Sequence, residues 1–268
     1  MLSYQHAYHA GNLADVHKHA LLAVMLDYMV RKDKPLSYLE THSGRGLYAL
    51  DGAEAAKTGE AEAGIWRAEA EGWFEPAHPY ARALKAVRAA HGRMAYPGSP
   101  LLAATLLRPI DSLQLCELHP QEFAALREAM APHGGVFHQK DGLAMALALC
   151  PPTPRRGVLL IDPSWEVKSD YEAVPKLIGQ VARKWNVGVI ALWYPVLAPH
   201  VAVAPMQAAM VRGLRAAHPE ALLSEVRFPP AREGHGMVGS GMFILNAPFG
   251  LEAEAARLAR LFARLNRS

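Results

Sequence analysis

The sequence predicts an α/β fold in which a mostly parallel, doubly wound sheet carries helices on both faces and is interrupted by one small helical insertion. Three observations support this prediction. Short apolar strands alternate with amphipathic helices along most of the 268 residues. A turn containing two glycines follows the first strand, and a strand-free segment then interrupts the alternation. Sheets of this kind bind ligands at the carboxyl ends of their strands, so function is expected at that edge.

The first predicted elements are a helix at about 12–30 and a strand at 36–40. Apolar residues recur at helical spacing through the helix, and Asn12 followed by Asp15 is a variant of the capping box that begins helices. The strand opens into the turn 41–46, whose glycines let the backbone approach a ligand closely. Such a turn is also common for purely structural reasons, so alone it is a weak indication of a ligand site.

Residues 47–96 are predicted to form the insertion. This segment is rich in Ala, Glu, Trp and Arg, with two helical stretches and no convincing strand. We therefore expect a main domain made of 1–46 and 97–268, with 47–96 as a helical subdomain inserted between its first and second strands.

The alternation of strand and helix resumes at residue 97. The predicted strands are 112–117, 136–138, 157–161, 187–193, 222–228 and 242–246. The predicted helices are 100–107, 120–130, 142–149, 171–184, 198–217 and 251–265.

Composition limits the classes of function. The 28 basic and 25 acidic residues give a net charge of +3, too little to hold nucleic acid by phosphate neutralisation alone, so any RNA contact must be local. No apolar run could span a membrane, and the N-terminus lacks the order of a secretory signal, which predicts a cytoplasmic protein without a membrane partner. Cys116 and Cys150 lie in apolar runs, so neither a disulfide nor a cysteine-rich zinc site is expected.

Two acids follow predicted strands at the ligand-binding edge. Glu117 ends the second strand of the main domain, where an acid in nucleoside-binding sheets accepts hydrogen bonds from ribose hydroxyls. It stands 73 residues after Gly44, much further than the usual gap of about twenty, and the insertion accounts for the difference. Asp141 and Gly142 follow the strand 136–138, where the carboxylate could meet the amino group of an adenine. As isolated features, a strand-end acid is more often solvated and an Asp-Gly pair is ordinarily a turn.

The most informative pattern is the apolar strand 157–161 followed by Asp162, Pro163, Ser164 and Trp165. The exocyclic amine of an adenine is a poor nucleophile because its lone pair is delocalised into the ring. A carboxylate and a proline-constrained carbonyl can accept its two N–H bonds and favour a pyramidal nitrogen. An aromatic side chain beyond the proline offers a face on which a base can stack. The purely structural alternative is an Asp-Pro turn covered by a core tryptophan.

A polar cluster lies at the start of the chain and along the first helix. His17 and His19 cannot share one helical face, and the other histidines lack metal spacing with a carboxylate, so no metal site is predicted. Polar aromatics and a lysine beside a nucleotide pocket are better explained as contacts to RNA and cofactor. The members of this cluster are Tyr4, His6, His9, His17, Lys18 and His19.

Distinctive short strings occur along nearly the whole chain. They are MLSYQH at 1–6, HAGN at 9–12, ADV at 14–16, KH at 18–19, DKP at 33–35, YL at 38–39, TH at 41–42, YPGSP at 96–100, DSLQL at 111–115, ELHP at 117–120, IDP at 161–163 and ALWYP at 191–195. In these strings the chain resembles the RlmJ family, the bacterial 23S ribosomal RNA adenine-N6 methyltransferases.

The resemblance implies a class I, Rossmann-like fold that uses S-adenosylmethionine and methylates the exocyclic amine of adenine 2030 in 23S ribosomal RNA. Asp162 would be the catalytic proton acceptor, and we expect a monomer without a metal. The implied cofactor pocket consists of His19, His42, Ser99, Glu117, Asp141, Gly142 and Asp162. The residues expected to face the RNA are Tyr4, His6 and Lys18, together with Pro163 and Trp165 from the loop.

The loop departs from the family pattern. The usual Asp-Pro-Pro-Tyr reads Asp-Pro-Ser-Trp here, so Ser164 removes a ring that would stiffen the loop. This leaves two alternatives beside the leading hypothesis. One is a methyltransferase that acts on a different amine acceptor, and the other is a non-catalytic RNA-binding protein on the same scaffold. Retention of Asp162 favours catalysis.

Overall fold

The computed structural model describes residues 6–231, 234 and 236–265. The strands are β1 (Ser37–Glu40), β2 (Leu47–Ala49), β3 (Ala95–Pro97), β4 (Ser112–Cys116), β5 (Val136–His138), β6 (Gly157–Ile161), β7 (Val189–Leu197), β8 (Leu222–Arg227) and β9 (Met237–Leu245). The α-helices are α1 (Leu13–Val30), α2 (Ala53–Thr58), α3 (Arg67–Ala70), α4 (Pro79–His91), α5 (Ser99–Leu106), α6 (Pro120–Met130), α7 (Gly142–Leu149), α8 (Asp170–Lys184), α9 (Ala204–Ala217) and α10 (Leu251–Leu265).

The main sheet has the strand order β5-β4-β1-β6-β7-β9-β8. The strands from β5 to β7 are parallel, and β9 runs antiparallel to both of its neighbours. Successive residues of the central strands pack alternately into two hydrophobic cores, one on each face of the sheet. Leu160, for example, packs on the face covered by α1, whereas Ile161 packs on the face covered by α8 and α9. The predicted doubly wound, mostly parallel sheet is therefore confirmed, and its carboxyl edge lies at the ends of β1, β4, β6 and β7.

Helix α1 places the polar cluster near that edge. Its N-cap is Asn12, whose side chain accepts a hydrogen bond of 2.9 Å from the amide of Asp15. The reciprocal half of the predicted capping box does not form, because the Asp15 carboxylate accepts from the amide of Gly11 instead, at 2.9 Å. The helix is buried on almost every side, against β9, α4, α5 and α10. It can therefore carry His17, Lys18 and His19 into the interior.

The insertion is helical over most of its length but has strands at its ends. β2 and β3 pair antiparallel, with Leu47 opposite Pro97 and Ala49 opposite Ala95, so the expectation of no strand in this segment is wrong. Each strand is three residues long and its partner lies almost 50 residues away, so no local alternation reveals it. The division into two domains stays a prediction, because the insertion shares one continuous core with α1.

The predicted boundaries around β7 and β9 are too short. Both strands extend beyond the parallel part of the sheet as a long antiparallel pair that stops at Leu197 and Met237, and two glycines in β9 obscure its alternation. Because β7 continues to Leu197, α9 begins at Ala204 rather than at 198, with a proline in its first turn. The extended pair forms one wall of the cleft described below.

Gly64 marks the point where the insertion touches the start of α1. A β-carbon at this position would lie 2.1 Å from the carbonyl oxygen of Gly11 and 2.7 Å from backbone atoms of Asn12. We expect Gly64→Ala to lower the free energy of unfolding by about 1–3 kcal/mol, because the backbone must move to accept the methyl group. Gly213→Ala, in open space on α9, is the matched control and should stabilise by about 0.5–1 kcal/mol. Urea unfolding measures both, and equal stabilities would contradict the proposed contact.

Candidate active site

A cleft of about 470 Å³ opens at the carboxyl edge of the sheet, between α1 and the loops that follow the central strands. The expected site residues converge there, although their roles stay predictions. Tyr4 lies outside the described residues. The predicted residues that line the cleft are His6, Lys18, His19, His42, Ser99, Glu117, Asp141, Gly142, Asp162 and Pro163.

A buried charge cluster lies at the centre of the cleft wall. The Lys18 ammonium is 2.7 Å from Oδ2 of Asp162 and 3.1 Å from Oδ1 of Asp15. Burial alone would lower the pKa of Lys18, but the carboxylates of Asp162 and Asp15 outweigh it and hold the pKa above its ordinary value. Burial would likewise raise the pKa of Asp15, but its interactions with the Lys18 ammonium and with the imidazoles of His6 and His19 hold it well below the usual range. One buried cation thus orients two carboxylates.

The N-terminal turn is held over the cleft by the insertion. Nε2 of His6 lies 2.8 Å from Oδ2 of Asp15, which places the imidazole beside the charge cluster. Behind it, Oε1 of Glu60 lies 2.9 Å from Nδ1 of His9, and Oε2 accepts a 3.0 Å hydrogen bond from the side chain of Asn12. The insertion therefore contributes to the site by holding the turn that carries His6.

The acid after β4 is held by the glycine turn. Oε2 of Glu117 accepts a 2.9 Å hydrogen bond from the amide of Gly44, and Oε1 accepts one of 2.8 Å from the amide of His119. Gly44 has φ +59°, and a β-carbon there would lie 2.5 Å from the Tyr48 hydroxyl, so glycine is required. Burial raises the pKa of Glu117. Each carboxylate oxygen keeps a second lone pair that could accept from a ribose hydroxyl.

Asp141 and His42 are two further predicted residues that line the cleft. Asp141 is the N-cap of α7, and its Oδ1 accepts a 2.7 Å hydrogen bond from the amide of Ala144. His42 lies between this acid and Asp162, with its Nδ1 2.7 Å from the Thr41 hydroxyl. Burial lowers the pKa of His42, although both carboxylates act in the other direction. The imidazole is therefore expected to be neutral at neutral pH.

His19 carries a buried polar atom that lacks a hydrogen-bond partner among the described residues. Its Nδ1 lies 2.9 Å from the Tyr96 hydroxyl, whereas Nε2 is without such a partner. Burial lowers the pKa of His19 to about 3, so the ring is neutral. Because the residue lines the cleft, a ligand that bonds Nε2 would satisfy an atom that is otherwise costly to bury.

Glu40, to which the sequence analysis gave no role, lies buried directly behind the cleft residue Ser99. It ends β1 and is fully buried, with its carboxylate bonded by the hydroxyl of Ser99 and, at 2.9 Å, by that of Tyr38. Burial raises the pKa of Glu40 to about 8, helped by the charge of Asp162, while the hydrogen bond from Ser99 opposes the rise. The feature of the sequence that could have indicated a role for Glu40 is its position directly before the glycine turn.

This raised pKa has a consequence for stability. The folded chain keeps a proton on Glu40 that the unfolded chain releases above about pH 4.5, so this group's stabilising contribution is lost as the pH rises towards about 8. The expected loss is at most about 1.4 kcal/mol per pH unit. Glu40→Gln keeps both hydrogen-bonding neighbours without a titrating group, so it should flatten the dependence. Urea unfolding from about pH 5 to about pH 8 tests this, and parallel curves for the two proteins would contradict it.

The prediction that Trp165 faces the RNA needs correction. Trp165 does not line the cleft: it is 6% exposed, packs on Tyr171 in the core under α8, and donates a 3.2 Å hydrogen bond from Nε1 to the carbonyl of Trp193. Its backbone has φ +60°, in the left-handed region, where the loop follows a course that buries the indole. No base could stack on it in this conformation. The tryptophan that lines the cleft is Trp193, in the middle of β7, for which the sequence predicted no role.

His17 is likewise a structural residue rather than a contact to RNA or cofactor. Its ring is fully buried, with Nδ1 2.9 Å from Ser240 Oγ and Nε2 3.0 Å from Ser224 Oγ. Burial lowers its pKa to about 3, so it is neutral.

Metal-binding clusters and membrane-spanning helices are both absent from the described part of the chain. Among those residues, His, Cys, Asp and Glu side chains form no group of three or more that could hold a metal ion. None of the described helices combines the length and the apolarity that crossing a membrane requires.

Known proteins resemble this chain in sequence and in structure. The family model described as "Ribosomal RNA large subunit methyltransferase D, RlmJ" matches residues 33–265. Two relatives named ribosomal RNA large subunit methyltransferase J come from Escherichia coli (strain K12) and Haemophilus influenzae. The chain is 38% identical to the first over 260 residues and 37% identical to the second over 261, covering 95% of this chain and 90% of each relative. The crystal structure of protein LPL1258 from Legionella pneumophila is 33% identical, has a TM-score of 0.82, and is matched over 96% of this chain and 94% of that one.

These matches cover the main sheet, the insertion and the cleft, so they concern the whole fold rather than one motif. Together with the strand order, they confirm the predicted class I, Rossmann-like methyltransferase fold. The chain belongs to the RlmJ family of ribosomal RNA large subunit methyltransferases.

Proposed function

We propose that this chain transfers the methyl group of S-adenosylmethionine to the exocyclic amine of one adenine in 23S ribosomal RNA. The observation that carries this proposal is the position of the Asp162 carboxylate. It stands in the cleft at the end of β6, beside Pro163, and is oriented by the Lys18 ammonium at 2.7 Å. An acid presented in this way can receive an N–H bond from a purine amine.

The cofactor side of the cleft fits a nucleoside. Glu117 presents a half-buried carboxylate where ribose hydroxyls could donate, and Asp141 presents an exposed carboxylate where an adenine amine could donate. The unpartnered Nε2 of His19 is a third polar atom that a ligand would satisfy. S-adenosylmethionine, when bound, supplies a methyl group already activated on a sulfonium.

The protein's own residues would then act on the acceptor amine. Asp162 accepts one N–H, and a backbone carbonyl of the loop 162–164 accepts the other, which frees the nitrogen lone pair for attack. A bound S-adenosylmethionine would give up its methyl group with loss of a neutral thioether, so the carbon–sulfur bond would break as the new nitrogen–carbon bond formed. The amine becomes positively charged and gives its extra proton to the Asp162 carboxylate, which later releases it to solvent. Lys18 holds the carboxylate in place throughout.

The test is a methylation assay on RNA. The protein is incubated with radiolabelled S-adenosylmethionine and a 23S ribosomal RNA transcript, which carries no modifications. We expect N6-methyladenosine in the nuclease digest at one position, which we propose is adenine 2030. Label in another nucleoside, or in no RNA, would contradict the proposal. Label in a protein or small amine would support the alternative acceptor.

A further inference from the structure

Trp193 and Asp162 stand side by side at the carboxyl edge of the parallel part of the sheet. In the parallel pair of β6 and β7, Ile161 is opposite Leu192, so the next residues of the two strands are neighbours. Ile161 and Leu192 point into the core under α8 and α9. Successive side chains of a strand point to opposite faces, so Asp162 and Trp193 both point towards α1.

The Trp193 indole is held rigidly at its edge. Nε1 donates a 3.0 Å hydrogen bond to Ser240 Oγ, which is also bonded to the buried ring of His17 at 2.9 Å. The backbone is held as well, because the Trp165 indole donates to the carbonyl of Trp193. Two buried partners therefore fix where the ring lies, and the ring edge cannot turn towards a ligand without breaking its bond to Ser240.

The ring lies next to the charged cluster and lines the cleft on the side away from Glu117 and Asp141. The Lys18 ammonium is 5.6 Å from the centroid of the ring and 2.7 Å from Asp162. Pro195 and Met237 continue the same wall. A fixed, flat aromatic surface thus stands beside the carboxylate that would receive the amine.

We infer that Trp193 is the positioning residue on which the target adenine stacks, in place of an aromatic in the loop after β6. This inference rests on the proposed function and adds to it the acceptor subsite. It also explains how the loop can carry Ser164 and a buried tryptophan. The stacking surface comes from β7, and Trp165 supports that strand from the core side. Bases stack on aromatic rings regardless of sequence, so Trp193 supplies binding and alignment, and recognition of the amine falls to Asp162.

The experiment compares Trp193→Leu and Trp193→Phe with the wild type on the 23S ribosomal RNA transcript. Leu removes the aromatic face, so the KM for RNA should rise about 5- to 100-fold, the range expected for one lost stacking contact. Phe keeps a face and should restore the KM to within about threefold of the wild-type value. The Kd for S-adenosylmethionine should stay within about twofold in both variants, because Glu117 and Asp141, the acids expected to bind the nucleoside, lie on the other side of the cleft. Trp185→Phe is the matched control, because Trp185 is fully buried in the core under α8 and does not bond to Trp193. It should lower the Tm and leave the KM near that of the wild type.

An unchanged KM in Trp193→Leu would overturn the inference, as would a Phe variant as impaired as the Leu variant. If Trp193→Leu does not fold, Trp193→Met provides the same comparison with a more adaptable side chain. Absence of RNA methylation by the wild type would instead remove the proposed function itself. The two failures are therefore distinguishable.

Discussion

Asp162→Asn is expected to reduce methyl transfer to 23S ribosomal RNA by about 10²- to 10⁴-fold, the usual contribution of a positioned proton acceptor. The amide keeps one acceptor oxygen, so it can still bond an N–H, but it cannot take the proton that the amine must lose. Its NH₂ group would also face the Lys18 ammonium in one of its two orientations, which disfavours that orientation. The measurement is the single-turnover rate with saturating RNA and S-adenosylmethionine.

The matched control is Asp170→Asn, which makes the same change at another acid lining the cleft. We expect this variant to keep the rate within about threefold of the wild type, because Asp170 has no bond to Lys18 and does not end a central strand. Equilibrium dialysis should show cofactor affinity within a few-fold of the wild type for both proteins. If Asp162→Asn kept more than about a tenth of the rate, the carboxylate would not be the proton acceptor.

Lys18→Met is expected to have the largest effect on stability, lowering the free energy of unfolding by about 3–5 kcal/mol. Its side chain is 6% exposed and its partners Asp162 and Asp15 are 12% and 2% exposed, so water screens these charges little. Methionine fills the space of the lysine stem but leaves two nearby carboxylates to repel each other. Urea unfolding at neutral pH would show the loss, and Tm should fall with it.

The pH dependence distinguishes lost charge compensation from lost packing. Without the ammonium, the carboxylates would have a higher pKa in the folded than in the unfolded chain, so the deficit should grow as the pH rises and shrink in acid. The double variant Lys18→Met with Asp162→Asn should recover part of the stability while remaining inactive. A deficit that is independent of pH and additive in the double variant would show that packing alone is responsible.

How much of the site could be predicted depended on how local each signal was. Asp162, Glu117 and Asp141 follow parallel strands, and the carboxyl ends of parallel strands meet at one edge, so their convergence followed from the order of the elements. The role of Trp165 could not be predicted in this way. Whether the Trp165 side chain lies in the cleft or in the core depended on its backbone φ of +60°. It also depended on the packing of its ring against Tyr171 and on a hydrogen bond to Trp193, 28 residues further along the chain.

The histidines of α1 show the same distinction. Their spacing excluded a shared helical face and was local information. The spacing could not predict that the His17 ring would be hydrogen-bonded by two serines more than 200 residues away. Nor could it predict that His19 would line the cleft. The burial of Glu40, which moves its pKa to about 8, also depends on α5 packing over the end of β1.

The amino-acid sequence by itself determined the order of strands and helices, the edge of the sheet that binds ligands, and the acids at that edge. Apolar periodicity and strand ends can be predicted from residues that are close together in the chain. Only the tertiary structure decided which tryptophan faces the cleft, which histidine is enclosed, and how the ends of the insertion pair. Those outcomes depend on contacts between residues far apart in the chain, whose energies no local pattern encodes.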